Sequence, residues 1–328
     1  MLVRSRLTSL SNYCYWVLKL GILGLLWLSN PAQSLGQTTA PAEVIQAEYA
    51  TEAPVLDGVL TEKVWEEADK VQTFTQRELN VGEPATERTQ AAIVYTQRYV
   101  YVGIWCYDRT AEGILAKELR RDFNSSNDDN FKVILDTYGD NRNGFLFITN
   151  PNGARRDAQV LNNGNSVNTS WDGVWNVEAK QTAQGWFAEM KIPFTTLKYD
   201  ADQLEQRWGI NFERNIRRKR EQVLWQGWSR DYSIQQVNQA GDLTGLDSLL
   251  DKDFIELKPY GVTGGQFDEN QEGRYDLGGN INYLVTPTVR AQLTVNTDFA
   301  QVEADPQQIN LTRFPLRFPE KREFFLEG

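Results

Sequence analysis

The sequence predicts an all-β protein, a β-sandwich followed by a pair of longer antiparallel strands. Short runs of alternating apolar residues recur along the 328-residue chain from about residue 49, separated by clusters of Gly, Asn, Asp and Pro. This spacing is typical of an immunoglobulin-like or jelly-roll-type sandwich. After about Asp253 the runs lengthen and alternate more strictly. Helical spacing is confined to Thr61–Asp69 and Ile114–Arg121.

Residues 1–34 have the features of a signal peptide. Three basic residues precede a short apolar run, Leu20–Leu28, and the small residues Ala32 and Ser34 follow it, as at a cleavage site. The run is too short for a transmembrane helix, although an uncleaved anchor is the alternative. We therefore expect an exported chain that begins near Leu35.

Residues 35–48 lack periodicity and are predicted to be a flexible leader. Cleavage would remove Arg4, Arg6 and Lys19 and no acid, so the formal net charge would move from −10 to −13. Such a chain is not expected to bind nucleic acid, which requires a basic surface. It also has no GxxxxGK[ST] motif for a nucleotide. The basic cluster of residues 214–220 is interpreted as a solvated strand end.

The chain contains no histidine. This excludes Ser-His-Asp and Cys-His catalysis and all histidine metal sites. Cys106 is the one cysteine outside the predicted signal peptide, and its apolar surroundings predict a buried thiol. A carboxylate pair, as in glycoside hydrolysis, would still be possible, but no spacing singles out two carboxylates. Glu189 is interpreted as a strand residue paired with a basic group.

The sandwich strands are predicted from apolar alternation between turn residues. In chain order they are Ala91–Tyr95, Val100–Tyr107, Phe131–Asp136, Gly144–Asn150, Trp175–Ala179, Gly185–Ile192 and Trp208–Ile216. Trp65, Trp186 and Trp208 are predicted to lie in the core.

Two longer alternating runs, Tyr275–Val285 and Val289–Phe299, are joined by the short turn Thr286-Pro287-Thr288. Transmembrane β-strands need about 9–11 residues with this alternation. A soluble hairpin with one buried face alternates in the same way. The pattern alone leaves both alternatives open.

Several segments resemble family-nine carbohydrate-binding modules. They are PVLDGVLTEKVWEEAD (54–69), AIVYTQRYVYVGIWCYD (92–108), DDNFKVILD (128–136), GWFAEMKIPFTTL (185–197) and WGINFERNIRR (208–218). The full order, up to the closing run TVNTDFAQVEADPQQINLTRFPLRFPEKREFFLEG, resembles a group that joins this module to an uncharacterised outer-membrane β-barrel. The resemblance implies a sandwich over residues 49–252. It also implies the first antiparallel strands of an incomplete barrel over residues 253–328. With the predicted export, this implies a location in the outer membrane or periplasm of a Gram-negative-type bacterium.

Family-nine modules hold a terminal sugar between two tryptophans, with a glutamate and an arginine on neighbouring strands. The matching positions here are Ser126, Ile234, Lys132 and Phe147. The resemblance therefore implies the fold and a sugar-binding ancestry, but it does not identify a glycan.

Two aromatic rows are candidate ligand platforms, because sugars stack on aromatic rings and bond to amides and carboxylates. One row is Tyr101, Trp105 and Tyr107. The other is Trp171 and Trp175, with Asp172 as a polar neighbour. The alternative is that these rings fill the core, as large aromatic side chains commonly do.

A candidate calcium site lies in residues 122–130, where oxygen-bearing side chains occupy alternate positions. Asp122, Asp128 and Asp129 are the candidate ligands. The loop lacks the turn glycine and distal glutamate of an EF-hand, and a solvated acidic loop is the alternative. The family-nine resemblance also implies structural calcium.

These observations favour a non-catalytic binding module, associated with the outer membrane, that engages a glycan or related polar ligand in glycan capture or catabolism. The first alternative is an outer-membrane transport or assembly component whose sandwich is a ligand-free scaffold. The second is a glycoside hydrolase acting on O-glycosyl bonds.

Overall fold

The computed structural model describes residues 43–199, 205–247, 249, 255–265, 273–286 and 289–296. The predicted signal peptide, residues 35–42 of the predicted leader and the closing run after residue 296 lie outside the described residues. Within these ranges the chain is almost entirely β-structure, which confirms the all-β prediction.

The large sheet contains nine strands within the described residues. Seven of them follow the spatial order β1-β15-β13-β7-β8-β9-β10, and β14 and β4 continue the sheet beside the far end of β13. Their bounds are β1 Val44–Gln46, β4 Thr75–Glu78, β7 Asn130–Asp136, β8 Gly144–Thr149, β9 Arg155–Leu161, β10 Ser166–Asn168, β13 Glu205–Ile216, β14 Glu221–Leu224 and β15 Gly241–Asp247.

The small sheet follows the order β11-β12-β6-β5, with β2 and β3 both beside β5. Its strands are β2 Glu48–Tyr49, β3 Lys70–Val71, β5 Thr89–Tyr95, β6 Tyr99–Tyr107, β11 Asn176–Thr182 and β12 Gly185–Pro193. The helix α1, Lys63–Glu67, belongs to the connection between β2 and β3. Short 3-10 turns are η1 Ala111–Gly113, η2 Arg217–Lys219 and η3 Val237–Gln239.

The main core lies between the two sheets because alternate residues of each central strand face the other sheet. Val133 of β7, Ile210 and Phe212 of β13, Ile104 of β6 and Trp186 of β12 are all fully buried in this layer. Cys106 is buried there as a free thiol, as predicted, and burial raises its pKa to about 12. Trp208 is also buried, as predicted.

A separate three-stranded sheet consists of β16 Ile255–Gly265, β17 Gly273–Thr286 and β18 Val289–Val295. The sequence predicted β17 and β18 but not β16, whose alternation is interrupted by glycines and Pro259. The register aligns Leu257, Ile281 and Leu293 across the three strands. Among the residues of this sheet whose burial is described, the large apolar side chains that are exposed are Leu257, Leu277, Ile281, Tyr283, Leu293 and Val295.

Two local predictions differ from the structure. Val44–Gln46, at the end of the predicted leader, forms β1 beside β15 and buries Ile45. The helix predicted for Ile114–Arg121 is wrong, since this segment is irregular. Its amide groups at Lys117 and Glu118 donate to the carboxylate of Asp128 instead of to a helical carbonyl. Among the described residues, no helix is long and apolar enough to cross a membrane.

Candidate functional site

The first predicted platform lies on the outer face of the small sheet, where α1 and the segment before it cover the strands. Tyr101 and Trp105 are buried, with 1% and 8% of their surfaces exposed. The ring of Trp65, on α1, packs edge-on against Trp105 at 6.0 Å. Gly103 lies between Tyr101 and Trp105 on β6, and a Cβ at Gly103 would come within 2.8 Å of the Trp65 ring. Tyr101 and Trp105 therefore belong to a secondary core and do not form an open platform.

Glu189 of β12 lies at the centre of this covered face and is fully buried. Its carboxylate accepts hydrogen bonds from the amides of Asp57 and Gly58 and from Nε1 of Trp65. The prediction of a basic partner was therefore wrong, because the partners are N–H groups of the covering segment. Burial raises the pKa of Glu189 to about 7.

Tyr107, the third member of the row, is half-buried. Its ring packs edge-on against Phe187 at 5.4 Å, and the guanidinium of Arg88 lies 4.4 Å from its centre. Of the first predicted row, Tyr107 keeps the most accessible ring.

The second predicted row also lies in the core. Trp171 and Trp175 are 7% and 1% exposed, and both pack against Phe147. Nε1 of Trp175 donates to the buried carboxylate of Asp157. Asp172 is exposed and pairs with Arg121, which also binds Asp157. This row is therefore structural, and Asp172 takes part in its ion-pair network.

The acidic loop does not have the geometry of a calcium site. Both oxygens of Asp128 accept N–H groups, from Lys117, Glu118 and the side chain of Asn150. Asp129 is buried and accepts the amide of Arg217. Asp122 is exposed and lies 3.9 Å from Arg121. Across the described ranges, no three His, Cys, Asp or Glu side chains converge as metal ligands.

The positions that match the family-nine sugar site do not share one environment. Phe147 faces the main core and Ile234 belongs to a second apolar cluster on the outer face of the large sheet, with Phe123 and Val237. Ser126 is exposed in the loop before β7. Lys132 lies on the outer face and pairs with Glu213 of the adjacent strand.

Lys132 and Glu213 belong to a row of hydrogen-bonding side chains that the sequence did not indicate as a site. We call Asn130, Lys132, Glu213, Asn215 and Gln222 the polar row. The register places these residues in neighbouring positions on β7, β13 and β14, facing away from the main core. The sequence does contain a signal for the polar row, because its residues alternate with core residues in NFKVILD (130–136) and NFERNI (211–216).

Glu213 is the centre of the polar row and is 1% exposed, whereas Lys132 keeps 19% of its side chain exposed. Asn215 donates to Glu213 at 2.7 Å and to Asn130 at 3.1 Å. Burial opposes ionisation of Glu213, but the charge and hydrogen bond of Lys132 outweigh it and lower the pKa of this carboxyl. At one end, Arg77 donates to Gln222 and to the carbonyls of Tyr232 and Arg230, which fixes the loop beside the row.

The basic cluster predicted as a solvated strand end is only partly solvated. Arg214 is fully buried between the sheets and donates to the carbonyls of Arg88 and Tyr107 and to Oγ1 of Thr89. Arg218 binds Asp108 and Glu87. The alternation of β13 turns Arg214 inward, where it links the ends of the two sheets.

Comparison with known proteins gives one partial family match. Residues 255–328 match DUF5916, a domain of unknown function. None of the curated proteins matches the chain.

Several solved structures resemble the chain. A "putative carbohydrate-binding protein" from Bacteroides uniformis has a TM-score of 0.50 at 11% identity, covering 62% of this chain and 98% of that chain. A family-nine carbohydrate-binding module from Caldicellulosiruptor kristjanssonii has a TM-score of 0.42 with cellotriose bound and 0.44 with glucose bound. Both of these are 15% identical and cover 62% of this chain and 93% and 95% of theirs. The likeness to the Bacteroides uniformis protein shows a shared fold.

Proposed function

We propose that the chain is a non-catalytic glycan-binding protein, exported and associated with the outer membrane, whose sandwich holds its ligand at the polar row. The observation that carries the proposal is the convergence of the half-buried Lys132, Asn215 and Gln222 around the buried carboxylate of Glu213 on one face of β7, β13 and β14. Such groups bond the hydroxyls of sugars.

The environment of three buried carboxylates argues against hydrolysis at those groups. Glu189 and Asp129 are fully buried, and burial raises their pKa values to about 7 and about 6. Both accept backbone amides, and α1 covers Glu189. Glu213 is held ionised by Lys132. A glycosidase needs an accessible acid and a second carboxylate beside the scissile bond, and none of these three groups is placed to serve.

The glycan site is tested by replacing the ion pair of the polar row with amides. The variant K132Q/E213Q keeps side chains that can form hydrogen bonds at both positions but removes their charges. We expect the affinity of the full chain for a glycan found by array screening to fall by about tenfold, measured by isothermal titration calorimetry.

The matched control is K63Q/E67Q, which removes an exposed ion pair on α1. Its affinity should equal that of the wild type. An equal loss in both variants, or no binding to any glycan, would overturn the proposed site. Circular dichroism at each titration temperature distinguishes lost binding from unfolding.

Association with the outer membrane is supported by the exposed apolar face of the three-stranded sheet. Leu257, Leu277 and Leu293 are 65%, 79% and 59% exposed, which in water costs free energy that a lipid surface would recover. The match of residues 255–328 to a domain of unknown function is neither evidence for nor evidence against association with the membrane.

We expect L293R to lower the fraction of full chain that floats with phospholipid vesicles, because a lipid-facing Arg costs about 2–4 kcal/mol at the bilayer midplane. T294R, on the opposite face of the same strand, serves as the control and should float more than L293R. Equal flotation of both variants would contradict the membrane role. Flotation without any glycan binding would instead favour a scaffold in a transport or assembly component.

A further inference from the structure

A strongly basic surface lies at the end of the sandwich where β5 begins and β6 and β13 end. We call this region the basic end. Its seven cations are Arg88, Arg109, Arg214, Arg217, Arg218, Lys219 and Arg220, and its five carboxylates are Glu87, Asp108, Glu112, Asp129 and Glu221. Glu112, on η1 beside Arg218, is exposed and the other four carboxylates are buried, whereas three cations, Arg88, Arg109 and Arg220, are exposed. The surface at this end is therefore cationic, although the whole chain carries a net charge of −10.

The buried carboxylates form a frame that holds the surrounding chain in place. Glu87 binds Arg109, Arg218 and Lys219. Burial opposes ionisation of Glu87, but hydrogen bonds led by that from Lys219 outweigh it and lower its pKa to about 2. Glu221 accepts the amide and hydroxyl of Thr86. The loops that present the exposed cations are consequently fixed by hydrogen bonds to ionised groups.

Three guanidinium groups remain for a ligand. Arg88, Arg217 and Arg220 have no carboxylate partner among the described residues. Arg88 donates to Gln90 at 3.0 Å and rests on the ring of Tyr107. Arg217 is half-buried and uses its backbone amide to bind Asp129, and Arg220 follows at the end of the same 3-10 turn.

Apolar aromatic surface lies beside Arg88, whose guanidinium is 4.4 Å from the centre of the Tyr107 ring. Tyr107 and Phe187 are both half-buried and pack edge to face at 5.4 Å. A sugar ring offers an apolar face to such a pair, while its charged substituents reach guanidinium groups. The combination distinguishes the basic end from a surface suited to inorganic anions alone.

We propose that the basic end binds an acidic polysaccharide, one whose sugars carry carboxylate or sulfate groups, with Arg88, Arg217 and Arg220 as its cationic contacts. The inference rests on the proposed glycan-binding function and adds the chemical class of the ligand. The basic end lies at the opposite end of β13 from Glu205, which pairs with Asp247, the last residue of β15. The polymer therefore approaches the sandwich at the end away from where the chain leaves it toward β16.

The test compares polygalacturonate with its fully methyl-esterified form, which has the same backbone without the charge. For the full chain, we expect binding to polygalacturonate that weakens with added salt, and much weaker binding to the ester. The variant R88Q/R217Q/R220Q should lose affinity by about tenfold or more. The control K63Q/R142Q/R207Q removes three exposed cations elsewhere and changes the net charge equally, so it should bind as the wild type does.

The outcomes separate this inference from the proposed function. Binding of a neutral glycan that depends on Lys132 and Glu213, without binding of polygalacturonate, would overturn the acidic ligand and leave the proposed function standing. Absence of binding to every glycan would overturn both. Equal losses in the two triple variants would show a net-charge effect and refute the site. Tighter binding to phosphatidylglycerol vesicles or DNA than to polygalacturonate, lost in R88Q/R217Q/R220Q, would assign the basic end to another class of partner.

Discussion

At the scale of single residues, Glu189 determines how the outer face of the small sheet is closed. Its two oxygens collect three N–H groups from the segment that includes Gly58 and Trp65. The sequence predicted the strand around Glu189 and the burial of Trp65, because both follow from apolar pattern. It could not predict their bond, since the two residues are 124 positions apart and no local pattern reports such a contact.

The raised pKa of Glu189 makes stability depend on pH. In the unfolded chain a glutamate ionises near 4.5, whereas in the folded protein the pKa of Glu189 is about 7. The folded state therefore holds more protons between these values, and the free energy of unfolding falls as pH rises from about 4.5 to 7. We expect the wild type to lose about 2–3 kcal/mol more than E189Q over this range.

Urea unfolding of both proteins at pH 5 and pH 7.5 measures the difference. Asp129, whose pKa is also raised, titrates in both proteins and cancels in the comparison. Identical pH dependence of the wild type and E189Q would refute the role of Glu189.

At the scale of elements, α1 and the residues before it cover part of the outer face of the small sheet, and this cover determines which aromatic side chains of β6 are accessible. Strand alternation predicted correctly that Tyr101, Trp105 and Tyr107 share one face of β6. Alternation does not tell whether another element covers that face, so the platform and core alternatives could not be separated. The polar row was missed for a related reason, because its members come from three strands and become neighbours only through their register.

The close approach of α1 to β6 predicts a specific sensitivity at Gly103. A Cβ there would lie 2.7 Å from Leu60 and 2.8 Å from Trp65, so the covering segment must move. We expect G103A to lower the free energy of unfolding by about 1–3 kcal/mol and to hasten proteolysis near residues 57–67.

G261A is the control for this change. Gly261 lies in β16, where an added Cβ would meet, among the described residues, the end of the Leu277 side chain at 3.1 Å. Its effect should stay within about 0.5 kcal/mol. Unchanged stability and proteolysis of G103A would show that α1 is not packed as described.

At the scale of the whole molecule, Arg214 joins the two sheets. It lies on β13 of the large sheet and donates to groups at the ends of β5 and β6 in the small sheet. Its charge also lies 4.0 Å from that of the buried Asp108. The sequence predicted the strand but placed the basic cluster in solvent, because arginines rarely face a sandwich core without such partners.

Replacement of Arg214 by Met should leave Asp108 and Asp129 without the fully buried cation that lies between the sheets. We expect R214M to lower the free energy of unfolding by about 3–5 kcal/mol. R217M, three residues further along the chain, removes a half-buried side chain with no carboxylate partner among the described residues and should cost under about 1 kcal/mol. Equal losses for both variants in urea unfolding would refute the link between the sheets.

The pairing of β1 with β15 has a consequence for the order of folding. Val44 lies beside Asp242, so the first described strand completes its sheet only against the last strand of the sandwich. Contacts between such distant parts of a chain form slowly, because the intervening loop must first be closed. A nascent chain would thus lack a finished large sheet until residue 247 had been synthesised, and its apolar strands would depend on chaperones until then.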